Sequence, residues 1–176
     1  MAKKKQTKTS LGKVVLNIMA IVISLLTSLA LFLNTWTWKI TNPNTDKESL
    51  TNVGGYFEDM EPYEKLFNIG KDKLPSWAST LSGILVISAV VCAVVFTFCS
   101  ILKMLKKSNK TISLISKASC FIMFLLGIGT LITSLIFVLA KYEGIVAIYS
   151  MVMDFGAVVG FVCPIIGGVL GIASQK

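Results

Sequence analysis

The sequence predicts an all-α polytopic membrane protein in which four transmembrane helices form one bundle. Four long apolar runs divide the chain, Lys residues gather in the segments that flank them, and every acidic residue falls outside the most basic segments. The runs cover residues 14–33, 79–102, 119–140 and 145–173. Each is long enough to cross about 30 Å of hydrocarbon at a helical rise of about 1.5 Å per residue.

The amino-acid composition argues against several classes of function. The chain has 176 residues, of which 54% are hydrophobic, so we expect residues 1–176 to form a single transmembrane domain. The net charge of +8 resides on Lys beside the apolar runs, which argues against nucleic acid as a partner. The chain has no His, which removes His-based metal sites and the usual base for a Ser nucleophile. We therefore expect no catalytic residue, cofactor or metal ion.

The distribution of Lys predicts the orientation. Eleven of the seventeen Lys lie in three segments that contain no acidic residue, which are residues 1–13, 103–118 and 174–176. Since Lys-rich loops stay in the cytoplasm, we expect a multi-pass protein of the cell membrane with both termini cytoplasmic. A basic tail followed by an apolar run also fits a signal peptide, with a small-x-small site at 28–30. The run continues past that site, which favours a retained span.

The first outer loop, residues 34–78, is the largest aqueous region. A short amphipathic helix is predicted there, with Glu61 as its cap, Pro62 at its first position and Gly70 after its end. The middle of the loop is acidic, which we interpret as solvated charge; a cation-attracting pore mouth and a specific metal site are the alternatives. Three tryptophans at the membrane ends of the loop are expected to be interface anchors. They are Trp36, Trp38 and Trp77.

The inner loop, residues 103–118, carries a basic cluster expected to face lipid. Its members are Lys103, Lys106, Lys107 and Lys110. Such residues attract anionic lipid headgroups by about 1 kcal/mol per Lys near the surface. We therefore expect membrane lipids, including anionic ones, as partners, and a specific lipid or protein site at this loop is an alternative.

The fourth span has a face of small residues. Gly156, Gly160, Gly167 and Gly171 share it. Glycine lets a neighbouring backbone approach closely, so this face predicts either tight packing within the bundle or a contact with another subunit or a pore axis.

Asp154 is the membrane carboxylate of this sequence, because it falls inside the fourth apolar run. A carboxylate within the bilayer is costly and therefore a candidate functional residue. Three interpretations remain open: a cap at the start of the helix near the membrane surface, a buried hydrogen bond to a hydroxyl of the third span, and an ion or proton site.

The layout of four spans with a longer first outer loop and a short second one resembles that of claudin-type tetraspans. The resemblance is one of topology only, because the first loop holds Trp36 and Trp38 but no cysteine and not the loop motif of that family, so the sequence does not place the chain in it. We expect a non-enzymatic tetraspan that assembles with itself or with another membrane protein and presents its acidic outer loop. The alternatives are a channel subunit of a homo-oligomer and, less favoured, a small ion-coupled transporter that uses Asp154.

Overall fold

Four long helices form the main part of the molecule. The structure, a computed structural model, describes residues 11–42, 45, 47–57, 75–105, 109–143 and 148–175. Its long helices are α1 (Leu11–Leu26), which continues as a 3₁₀ turn (Thr27–Leu31), α2 (Ser76–Met104), α3 (Lys110–Leu139) and α4 (Phe155–Ser174). All four are long and apolar enough to cross a membrane, as the sequence predicted. This indicates a multi-pass membrane protein.

The helices pack side by side as a bundle. Helix α2 lies against α3, α3 against α4, and α4 against α1. Small polar side chains connect the helices: the hydroxyls of Ser82 and Thr133 are 2.6 Å apart, and Asn17 Oδ1 accepts hydrogen bonds from Ser100 and Ser174 at 3.4 Å each. Such bonds between membrane helices contribute about 0.6 kcal/mol each on average.

An antiparallel sheet covers one end of the bundle. Its strands are β1 (Trp36–Thr41), β2 (Glu48–Gly54), β3 (Lys141–Glu143) and β4 (Ile148–Met153), in the order β2-β1-β4-β3. The two central strands are direct extensions of the bundle, since β1 follows α1 and β4 leads into α4. Beside a bulge opposite Trp36, Gly54 adopts a φ of 109°, which glycine tolerates without steric cost.

The structure is mostly helical and consistent with the predicted four-helix bundle, but its four-stranded sheet was not predicted from the sequence. The fourth span was predicted to begin at residue 145, whereas α4 begins at Phe155 because the preceding apolar residues form β4. The third span was predicted to begin at residue 119, but α3 already begins at Lys110. The predicted amphipathic helix near Glu61 lies outside the described residues.

One hydrophobic core joins the sheet to the bundle. It contains Trp36, Trp38 and Met151 from the central strands, Val86 from α2 and Phe137 from α3, all essentially without solvent exposure. Helices and sheet therefore share a core at this end. Farther from the sheet, the bundle interior is filled by two smaller clusters around Ala89 and Phe96.

Candidate functional site

Trp36 is the centre of the junction between sheet and bundle. Its side chain is fully buried, and its indole Nε1–H donates a hydrogen bond to Ser79 Oγ of α2 at 2.8 Å. The Ser79 hydroxyl in turn donates to the carbonyl oxygen of Tyr56 at 2.9 Å. The indole also packs against the rings of Tyr56 and Phe137, with centroid distances of 5.9 and 4.7 Å. The Trp36 side chain thus connects β1 to the segment after β2 and to the helices α2 and α3.

Tyr56 extends from the end of the first hairpin into the bundle. Its hydroxyl donates to the carbonyl oxygen of Gly156 at 3.4 Å and lies directly over Gly160, where a Cβ would collide with it. Burial raises the pKa of the Tyr56 phenol above its ordinary value, because the ionised form would lose its hydration. The phenol is therefore neutral and acts as a wedge between the sheet and α4.

Asp154 lies at the first turn of α4. Its Oδ1 accepts the N–H of Phe155 at 2.7 Å, and its Oδ2 accepts the hydroxyl of Thr37 in β1 at 3.3 Å. The backbone N–H of Asp154 also donates to the carbonyl of Thr35 at 2.9 Å. A carboxylate is favoured at this position by the helix dipole and the unpaired N–H groups. Of the three interpretations left open by the sequence, this geometry is that of the helix cap.

The glycine face of α4 is buried within the chain. A Cβ on Gly156 would stand 2.6 Å from the carbonyl oxygen of Asn34, and one on Gly167 would collide with Ser24 of α1. Gly160 faces Tyr56, and a Cβ on Gly171 would collide with the Cys120 sulfur of α3. These glycines permit close packing inside one bundle. Because the chain itself covers these glycines, the arrangement favours packing within the bundle over a contact with another subunit or a pore axis.

The tryptophans predicted to anchor the membrane surface divide into two groups. Trp77 is 57% exposed at the start of α2, so its role as an interface anchor stays a prediction. Trp36 and Trp38 are fully buried against the bundle, so neither ring is available as a surface anchor. Successive side chains of a strand point to opposite faces, so Trp36 and Trp38 point toward the bundle while Thr37 and Lys39 point away from it.

The basic cluster lies at the end of the bundle far from the sheet. Lys103 Nζ donates to Gln175 Oε1 at 3.0 Å, which links α2 to the end of α4, and Lys110 is exposed at the start of α3. Lys106 and Lys107 lie outside the described residues, as does the acidic centre of the first loop, Glu58, Asp59, Glu61 and Glu64. Among the described residues, no three His, Cys, Asp or Glu side chains are close enough to hold a metal ion.

The face of the sheet that points away from the bundle is a surface that was not predicted from the sequence. Lys39 lies at the middle of this face, where its Nζ forms an ion pair with Glu48 Oε1 at 2.5 Å. In the sheet register, Lys39 lies between Leu50 of β2 and Ser150 of β4. Among the side chains that the structure describes on this sheet, three apolar ones are exposed on this face. They are Leu50 (67%), Val152 (39%) and Ile148 (36%). The alternating run from Trp36 to Thr41 was the available signal, because period-two alternation is typical of a half-buried strand.

The comparisons with known proteins give no assignment. No protein-family description matches the sequence, and no curated protein is significantly similar to it. The inference of function therefore depends on the geometry of the chain itself.

Proposed function

We propose that this protein is a non-enzymatic assembly subunit of the cell membrane that presents its sheet to another membrane protein or to a second copy of itself. The observation that carries the proposal is the junction at Trp36. Its hydrogen bond to Ser79 and its burial against Phe137 fix the sheet to the helices. A surface held in advance loses less conformational entropy when a partner binds.

The orientation proposed here places the sheet outside the cell. Three segments of the sequence lead to the other end of the helices, and they hold eleven Lys and no acidic residue. They are residues 1–13, 103–118 and 174–176. Because Lys-rich segments are retained in the cytoplasm, both termini are cytoplasmic in this proposal. The first hairpin and the acidic stretch that follows it are then extracellular.

The outward sheet face has the composition of a contact surface. Leu50 and Val152 are apolar and exposed, and the Lys39–Glu48 pair lies beside them. Exposed apolar side chains with a charged neighbour are typical of protein contact sites, where the apolar part supplies affinity and the charge supplies orientation. This combination supports a protein partner.

No specific observation favours the two alternatives. A transporter that uses Asp154 would need this carboxylate free within the bilayer, whereas it accepts hydrogen bonds at the start of α4. A pore would need a continuous polar path. The described bundle interior does not offer such a path along α2, because Ala89, Ala93 and Phe96 are apolar and fully buried there. The hydroxyl of Ser82 is already bonded to Ala78 and Thr133.

Site-specific photo-crosslinking in intact cells tests the proposal. A photoreactive amino acid replaces Leu50 or Val152 on the sheet, and Val91 of α2, which is 57% exposed, serves as the control outside the sheet. We expect a discrete protein adduct at the two sheet positions, identified by mass spectrometry, and a lower yield when Lys39→Ala is added. Yields at Leu50 and Val152 no higher than at Val91 would refute the proposal.

A further inference from the structure

Helices α3 and α4 border an open groove at the end of the bundle far from the sheet. Two adjoining hollows form it, of about 520 and about 280 Å³, and they share Phe121 and Ile172. Lys117 and Gln175 line the larger hollow, whereas Phe124, Val169 and Ala173 line the smaller one. We call this surface the α3/α4 groove. The larger hollow falls within the range of about 300–1,000 Å³ in which proteins bind small molecules.

The groove is polar at its mouth and apolar along its body. Lys117 lies about two turns into α3 and one turn before Phe121, and Gln175 follows the last turn of α4, so both polar residues lie toward the end of the bundle far from the sheet. Toward the middle of the bundle the walls are apolar, with Phe121 54% and Val169 48% exposed. A membrane phospholipid has the same division, with a charged headgroup at the surface and acyl chains below it.

The charge at the mouth is positive and lacks a carboxylate partner within the helices. Residues 76–142 and 155–176 contain no Asp or Glu. Lys103 reaches the same region through its bond to Gln175, and Gln175 is further held by a contact from its Nε2 to the Cys120 sulfur at 3.5 Å. An anion at this mouth therefore meets positive charge without competition from a carboxylate of these helices.

We propose that the α3/α4 groove binds one anionic phospholipid, with its phosphate against Lys117 and an acyl chain along Phe121, Phe124 and Val169. Basic pockets between transmembrane helices on the cytoplasmic side recognise anionic headgroups. This site is more specific than a general attraction of Lys to the membrane surface. It does not depend on what the sheet binds.

A second copy of the chain is a less suitable occupant. In a two-fold contact both copies use the same surface, and two copies with the same orientation in a membrane are related by an axis along the membrane normal, so the two Lys117 side chains would lie at the same depth near the mouth. Without a carboxylate in the adjoining helices, that contact would bring like charges together. A phospholipid supplies the missing negative charge.

Native mass spectrometry of the purified full chain tests the charge requirement. The delipidated protein is incubated in mild detergent with phosphatidylglycerol or phosphatidylcholine, and retained lipid is measured. Lys117→Gln removes the charge at the groove, and Lys13→Gln is the matched control on α1, where Lys13 is also exposed. We expect the wild type and the control to retain phosphatidylglycerol preferentially, and Lys117→Gln to bind it about fivefold more weakly, which corresponds to about 1 kcal/mol. Equal retention of both lipids by the wild type, or equal binding by the two variants, would overturn the proposal.

A second pair of variants tests the acyl-chain position. Val169→Trp fills the apolar part of the groove, whereas Val158→Trp makes the same change three turns earlier on α4, at a residue that is 39% exposed. We expect only Val169→Trp to reduce phosphatidylglycerol retention. If it instead leaves the lipid bound and dissociates a dimer, a second copy occupies the groove and the lipid site is wrong. Circular dichroism checks that both variants keep their helix content.

Discussion

The indole Nε1–H of Trp36 in β1 donates to the hydroxyl of Ser79 in α2 across 43 positions of the sequence. This bond connects the first residue of a central strand to a membrane-length helix. Because the Ser79 hydroxyl donates its own hydrogen bond to the carbonyl oxygen of Tyr56, the same hydroxyl also holds the segment after β2. The position of the sheet on the bundle therefore depends on a serine that the sequence alone does not distinguish from its neighbours.

Replacing Ser79 by Ala should destabilise the protein more than a serine change elsewhere on α2. The variant leaves the buried indole N–H and a buried carbonyl without their partner, which costs about 1–3 kcal/mol. Ser88→Ala is the matched control, because the Ser88 hydroxyl donates to the carbonyl of Ile84 on its own helix and, within the described part of the chain, bonds to no other element. Unfolding in mixed micelles measures both changes, and equal losses would show that the Trp36–Ser79 bond is not important for stability.

Replacing Gly160 by Ala should be destabilising because the new methyl group collides with the Tyr56 hydroxyl and lies 3.1 Å from Val86. Overpacking of this kind costs about 1–3 kcal/mol. Tyr56→Phe removes the colliding oxygen, so the loss caused by Gly160→Ala should be smaller in that background. Gly55→Ala is the control with open space around its Cβ. A double-mutant cycle with no coupling would contradict this packing.

Stability at alkaline pH should depend on Tyr56. Burial raises the pKa of the phenol in the folded state, so the unfolded chain loses this proton first as the pH rises. The folded state is therefore favoured below the ordinary tyrosine pKa of about 10 and loses stability above it. Tyr56→Phe should lose less stability than the wild type between about pH 9 and about pH 11, and parallel pH profiles would contradict the burial of this group.

Removing the carboxyl of Asp154 should weaken the start of α4. Asp154→Ala loses the cap on Phe155 and the bond to Thr37, and loss of an N-cap costs about 0.5–2 kcal/mol. Asp154→Asn keeps an oxygen acceptor, so it should cost less than the Ala variant. Unfolding measurements on both variants check this order; a larger loss for Asn than for Ala would be inconsistent with a cap.

The helices could be predicted from the sequence because the backbone N–H and C=O groups of a long apolar run must be paired inside the bilayer, and a helix is the common way to pair them. The sheet could not be predicted by the same criterion. Residues 148–153 are apolar enough to extend the fourth run, and hydropathy does not distinguish a strand buried in protein from a helix buried in lipid. Asp154 marks the boundary, since an acidic cap is a helix start signal.

The site could be predicted only in part. The glycines of α4 indicated close packing, but their partners on other elements, such as Ser24 and Tyr56, depend on the tertiary arrangement. Trp36 and Trp38 lie where membrane anchors are expected, and only the pairing of β1 with β4 shows that their rings turn inward. Local sequence specifies an element, whereas the choice among its possible neighbours is made by the whole fold.

Labelling of single cysteines in intact cells is the most direct test of the central claim, which is that the helices cross the membrane and hold the sheet on its outer side. Leu50→Cys on the sheet and Lys110→Cys at the opposite end are both at exposed positions. With the native cysteines replaced by Ala, a membrane-impermeant maleimide should label residue 50 in intact cells and residue 110 only after the membrane is opened. Labelling of residue 110 in intact cells, with residue 50 protected, would contradict the account.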